Sequence, residues 1–170
     1  AVRNAHPQMS NDGTLAIVHN GIIENYLEIK ADLESKGYTF SSETDTEVLV
    51  NLVQECRKSE PDLLKAFSKA LSMAHGAYAV CLMSQEDPDT FYAARLSAPL
   101  IMGVGTGEFF VASDIPAFLQ YTRQVVFLED GELVKVDHGG YQIFTIGSLK
   151  PVTHQVMTIK WDMQSAQKGG

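Results

Sequence analysis

The chain has 170 residues, 45% of them hydrophobic and 20% charged, with a formal net charge of −8 at pH 7. That length suits one domain burying roughly 68–70% of the surface its unfolded chain exposes, and the composition is that of an ordinary globular protein. The acidic balance, with no basic run longer than Arg57-Lys58, argues against a nucleic-acid partner, because affinity for phosphate backbones comes from clustered Lys and Arg.

No apolar run approaches the ~18 residues that a membrane helix needs, and the opening AVRNAHPQ lacks the apolar core of a secretory signal. The only cysteines, Cys56 and Cys81, are too few and too far apart for a zinc site or a disulfide framework. A reducing, cytoplasmic compartment is expected. The first residue is alanine and the last three are Lys168-Gly169-Gly170, which suggests a piece of a longer protein.

In chain order, TLAIV (14–18) reads as a short buried strand. Asn20-Gly21, the strongest turn dipeptide, stands at its end, yet a helix-like pattern follows instead of a returning strand. That helix is expected over 25–36, with Asn25 as cap, Glu28 in the capping-box position and Gly37 as the stop. YTFSS (38–42) reads as a short strand. A second helix is expected over 46–57, capped by Thr44 with Glu47 as its reciprocal partner, its stripe being Leu49, Leu52, Val53 and Cys56. A third is expected over 61–75, with Pro61 in its first turn. Leu64, Phe67, Leu71 and Ala74 form its stripe, and it ends at His75-Gly76.

At Gly76 the apolar period changes from 3.6 residues to two. AYAVCLMS, TFYAARL, PLIMGVG, EFFVASD, RQVVFLED, ELVKVD and YQIFTI read as strands separated by Asp87-Pro88, Gly105-Thr106-Gly107 and Asp130-Gly131. A short helix is expected near 116–121. A final strand alternates Met157, Ile159, Trp161 and Met163 against Thr158, Lys160 and Asp162, and 164–170 reads as linker. One block of helices followed by hairpin-joined strands predicts an α+β layered domain with mainly antiparallel sheet, not a Rossmann fold. No Walker A loop or GxGxxG follows a strand, since Gly103 to Gly107 reads as a hairpin turn, and neither cofactor nor metal is expected.

Three places offer chemistry. Asn20 and Gly21 present an amide and an unhindered backbone N–H at one point, the two donors an oxyanion hole needs; a plain turn is the alternative. Asp45 lies in the first turn of its helix, where the dipole stabilises a carboxylate able to pair with a ligand ammonium, or it merely helps the helix start. His6, held extended by Pro7, serves a site or packs. Cys56 and Cys81 fall on apolar faces and read as inert core thiols.

Taken as one ordered string, NAHPQ, AIVHNGIIENY, LESKGYTFSSETDTEVLV, GAYAVCLM, AARLSAPLIMGVG, EFFVASD and YTRQVVFLEDGE resemble the class II glutaminase domain of the glutamine–fructose-6-phosphate aminotransferases, from about Asn4 to Lys168. Ile22-Ile23-Glu24-Asn25 after Asn-Gly is similar to this group, whereas asparagine synthetases read NGEIYN and amidophosphoribosyltransferases HNGN. The resemblance implies an αββα sandwich of the N-terminal nucleophile hydrolase type, with the glutaminase domain over 1–163 and a linker from 164 towards a sugar isomerase domain.

It also implies a chemistry. An N-terminal cysteine attacks the glutamine amide with the chain's own α-amino group as base. Asn20 and Gly21 then match the oxyanion hole, Asp45 the carboxylate holding the α-amino group of glutamine, and His6 a histidine near the site. Ammonia would convert fructose 6-phosphate into glucosamine 6-phosphate on the isomerase domain of a homo-oligomeric enzyme. The nucleophilic cysteine and the HTRWATHG-like loop with its carboxylate-binding arginine do not occur in this sequence, and Ala1 cannot replace the thiol. Two other readings stand beside this one: a different class II amidotransferase, and a non-catalytic module that binds glutamine or a partner on the same scaffold.

Overall fold

A computed structural model describes residues 7–117 and 119–160. In chain order the elements are β1 (Gln8–Met9), β2 (Leu15–Ile23), α1 (Tyr26–Ser35), α2 (Asp45–Cys56), α3 (Leu63–Met73), β3 (Gly76–Ser84), β4 (Asp87–Leu96), β5 (Ile101–Val104) and β6 (Phe109–Ala112). A 3-10 turn (Ile115–Ala117) follows, then β7 (Gln124–Phe127), β8 (Glu132–Asp137), β9 (Gly140–Thr145), β10 (Pro151–Val152) and β11 (Met157–Thr158). Seven strands form one sheet in the order β1-β2-β3-β4-β8-β9-β10, and four form a second in the order β11-β7-β5-β6. Every strand pair is antiparallel. Helices pack on one face of the larger sheet and the smaller sheet on the other, an α+β sandwich.

Two-residue alternation divides the larger sheet between two cores. Leu15, Ile17, Val80, Leu82, Tyr92, Ala94 and Leu133 meet α2 and α3 through Val48, Leu52, Val53, Phe67 and Leu71. Phe67 is fully buried and meets Tyr92 edge-on, ring centres 6.3 Å apart. On the opposite face Ala79, Ala93, Val134, Val136 and Ile143 pack against Met102, Val126 and Leu128 of the smaller sheet. The alanines on β3 and β4 keep the two sheets close.

Several local expectations need correction. Asn20-Gly21 is no turn: β2 runs through both residues to Ile23, pairing Asn20 with Ala79 and Gly21 with Tyr78. YTFSS is irregular instead of a strand, because Ser41 and Ser42 bend to hydrogen-bond the Glu47 carboxylate. Asn25 sits at the start of α1 without capping it. Its amide donates to the Met73 carbonyl and its carbonyl accepts from His75 N–H, so it ties α1 to the end of α3 instead. Thr44 does cap α2, accepting from Glu47 N–H at 3.3 Å, but Glu47 spends its carboxylate on Ser41 and Ser42 instead of on Thr44. Asp62 caps α3 by accepting from Leu64 N–H, so the helix starts at Leu63, just after Pro61, and ends at Met73. The helix expected at 116–121 is reduced to the 3-10 turn. β11 is two residues long with Met157 exposed, while Trp161, Met163 and 164–170 lie outside the described residues.

Candidate active site

A cavity of about 390 Å³ opens where β2 ends against the N-terminus of α2, lined by Gln8, His19, Asn20, Gly21, Tyr26 and residues 43–46. Tertiary packing thus brings Asn20, Gly21 and Asp45 to one place. His6 lies outside the described residues.

Gly21 is there for a backbone reason. Its φ is +107°, and a Cβ would stand 2.1 Å from the Ala77 carbonyl oxygen. Gly76 has the reciprocal problem: at φ +141° its Cβ would stand 2.1 Å from the Ile22 carbonyl oxygen. Two glycines therefore let β2 and β3 cross closely at this end of their ladder, and the distortion leaves Asn20 and Gly21 exposed at the rim. The Asn20 side chain takes no hydrogen bond from the described residues, which leaves its amide available to a ligand.

Asp45 is the first residue of α2, and its side chain is 21% exposed. One oxygen, Oδ2, accepts from Ile23 N–H at 2.8 Å, which fixes the carboxylate against the end of β2. The other, Oδ1, stands 3.9 Å from His19 Nδ1, beyond hydrogen-bonding range, so it remains open to a cation. Behind it Glu47, 5% exposed, anchors the loop that leads into the helix. Burial alone would raise the pKa of Glu47; the backbone and hydroxyl hydrogen bonds from Ser41 and Ser42 outweigh it and hold the carboxyl below its ordinary value. Burial pushes the His19 imidazole down, only partly opposed by the Asp45 charge, so the ring is neutral at pH 7.

A carboxylate facing an exposed amide and a glycine N–H can hold an ammonium at one end and an oxyanion at the other. Neither thiol joins them. Cys56 is buried with its pKa raised, chiefly by burial, and burial lifts Cys81 to about 11. Cys81 lies one strand away and lines a mostly apolar cavity of about 310 Å³ between the sheets, which borders the first at His19 and Asn20. Among the described residues one cluster has the composition of a metal site, Glu129, Glu132 and His154, and it lies apart from the residues lining this cavity. There His154 Nε2 is already satisfied by both Glu132 oxygens at 2.7 and 2.9 Å.

Comparison with known proteins shows the family. The family model described as a glutamine amidotransferase domain matches residues 2–120. The chain belongs to that family.

This amidotransferase domain is 47% identical over 167 residues to the glutamine–fructose-6-phosphate aminotransferase (isomerizing) of Thermus thermophilus, covering 98% of the chain and 27% of that protein. It is 45% identical over 168 residues to the same enzyme of Symbiobacterium thermophilum, covering 99% and 27%. It therefore spans about a quarter of the length of the curated relatives it matches. Among solved structures, the glutamine phosphoribosylpyrophosphate amidotransferase of B. subtilis superposes with a TM-score of 0.71 at 29% identity, covering 82% of this chain and 30% of that one. A glutamine aminotransferase class-II domain protein from Silicibacter pomeroyi, at 20% identity and a TM-score of 0.57, shares the fold.

Sequence reasoning passed over three residues at or beside this cavity. Gly76 read only as a helix stop, and no local pattern says that it faces the Gly21 region. His19 and Thr46 carried no signal of their own, although both flank residues singled out for chemistry.

Proposed function

We propose that this domain hydrolyses glutamine to glutamate and ammonia, and that the ammonia serves the conversion of fructose 6-phosphate into glucosamine 6-phosphate on a sugar isomerase domain of the same enzyme. The observation that carries the reading is the convergence of Asn20, Gly21 and Asp45 on one cavity, in a chain 47% identical to an isomerizing aminotransferase. Asn20 Nδ2 and the Gly21 N–H stabilise the tetrahedral oxyanion. Asp45 Oδ1 holds the α-ammonium of glutamine, its carboxylate oriented by Ile23 N–H. On the family resemblance alone, His6 is assigned to glutamine binding. On the same resemblance we assign the complete enzyme to the cytoplasm and to a homo-oligomeric state.

The test is steady-state glutaminase kinetics on the complete protein. Asn20→Ala lowers kcat by roughly 10²–10³, the usual effect of deleting one oxyanion donor. Asp45→Ala raises the KM for glutamine most, because it removes an anchor made in ground and transition states alike. Reversed phenotypes would show the two roles to be exchanged. The structural likeness to a phosphoribosylpyrophosphate amidotransferase favours a second reading, in which the ammonia goes to another acceptor. Offering fructose 6-phosphate and phosphoribosylpyrophosphate side by side and identifying the aminated product separates the two.

A further inference from the structure

We infer that His19 is a positioning residue for glutamine binding, acting through Thr46 to hold the first turn of α2 and with it the Asp45 carboxylate. This rests on the proposed role of Asp45 as the anchor for the α-ammonium.

The His19 side chain is only 2% exposed, wedged between β2 and α2. Its Nδ1 lies 2.9 Å from Thr46 Oγ1, the hydroxyl next along the helix from Asp45. The same nitrogen stands 3.9 Å from Asp45 Oδ1. The carboxylate is thus held from two sides, by Ile23 N–H on Oδ2 and by the clamped helix turn, while Oδ1 takes no hydrogen bond from the described residues and is available to the ligand. A direct imidazole–carboxylate bond would occupy the oxygen that the substrate needs.

The second observation is at the other end of the ring. Nε2 is buried and has no hydrogen-bond partner among the described residues. A leucine would fill the space without leaving a polar atom unsatisfied, which is ordinarily costly. Packing therefore does not explain the imidazole, whereas the Thr46 clamp does. The tautomer follows from the charges: a carboxylate 3.9 Å from Nδ1 favours the proton there. Nδ1–H then donates to Thr46 Oγ1, and Nε2 carries the lone pair.

Four variants of the complete protein test this: His19→Leu, His19→Asn, Thr46→Val and the Leu/Val double. The Asn amide reaches about where Nδ1 does, so it keeps the donor to Thr46 and nothing else of the ring. His19→Leu should raise the KM for glutamine roughly three- to thirtyfold, the range of coupling through a packed side chain, with kcat changed less than about twofold. His19→Asn should restore most of that loss. Thr46→Val should match His19→Leu, and the double variant should be no worse than either single, since both remove one interaction. Nitrogen-15 NMR of the imidazole should report the Nδ1–H tautomer. Glutamine hydrolysis by the parent protein combined with an unchanged KM in His19→Leu overturns the positioning role alone. So does an Asn variant that folds yet binds no better than Leu, or an Nδ1 that the NMR shows to carry no hydrogen bond. A parent protein that releases no glutamate from glutamine overturns both the proposed function and this inference. Should His19→Leu fail to fold, His19→Asn against Thr46→Val decides, because only the second breaks the clamp.

Discussion

Gly21 and Gly76 show how much of the site is decided by single atoms. Each lacks a Cβ that would meet the opposing backbone at 2.1 Å, and each adopts a positive φ that other residues rarely hold. Replacing Gly76 with alanine should cost at least about 1–3 kcal/mol through backbone strain alone. At roughly 2–4 °C per kcal/mol for a domain of this size, calorimetry should show a drop of several degrees in Tm. Glutaminase activity should fall further than stability does, because the displaced carbonyl of Ile22 lies next to Gly21. Gly37→Ala, where nothing stands within 4 Å of the new Cβ, is the comparison: a Tm loss as large there as at Gly76 would refute the close-approach account.

At the scale of an element, the N-terminus of α2 concentrates the groups whose protonation the fold alters. Glu47 is held below its ordinary 4.5 by Ser41 and Ser42, against the opposing effect of burial, and His19 below 6.5 by burial. Both are depressed in the folded state, so the unfolded chain binds more protons and stability falls as pH falls. The contribution of His19 is complete above pH 6.5 and declines as pH drops from there towards its folded value. That of Glu47 is complete above 4.5 and declines below it. Urea unfolding across a pH series should therefore give a plateau at neutral pH, a decline starting near 6.5 and a steeper one beneath 4.5. The Glu47→Gln variant should lose the second phase and be less stable at pH 7, because an amide NH₂ would face the Ser41 or Ser42 N–H. A Glu47→Gln profile that keeps the steep acid limb would show that other carboxylates cause it.

For the whole molecule, the seven-stranded sheet is wider than the four-stranded sheet that covers it. β1, β2 and β3 present Met9, Val18 and Met83 on that face at 42–50% exposure, an apolar surface of the kind that promotes association. An oxyanion hole works only after a nucleophile has attacked the amide. The two thiols are poor candidates, one buried and the other raised to about 11. Residues 1–170 alone should consequently release no glutamate from glutamine, whatever weak affinity Asp45 retains. Turnover that vanishes in Asn20→Ala and Asp45→Ala would contradict this and point first to Cys81.

Local pattern alone determined the helix block, the switch to strands at Gly76, the Thr44 cap and the layered α+β class, because period and capping chemistry act over a few residues. The ordered string from Asn4 to Lys168 carried the family resemblance. Local pattern misread Asn20-Gly21 as a turn, Asn25 as a cap and YTFSS as a strand, and each error has one physical cause. A partner that the period does not reveal competes for the same groups: β3 takes Asn20-Gly21 into a ladder, the end of α3 takes the Asn25 amide, and nearby Glu47 bends Ser41 and Ser42 out of extended form. Only the tertiary structure decided that the chain folds back so that Ile23 N–H meets Asp45, 22 positions on, that Gly76 faces Ile22, and that His19 reaches Thr46. Those contacts depend on how a strand end and a helix start meet across the core, and sequence spacing does not encode that meeting.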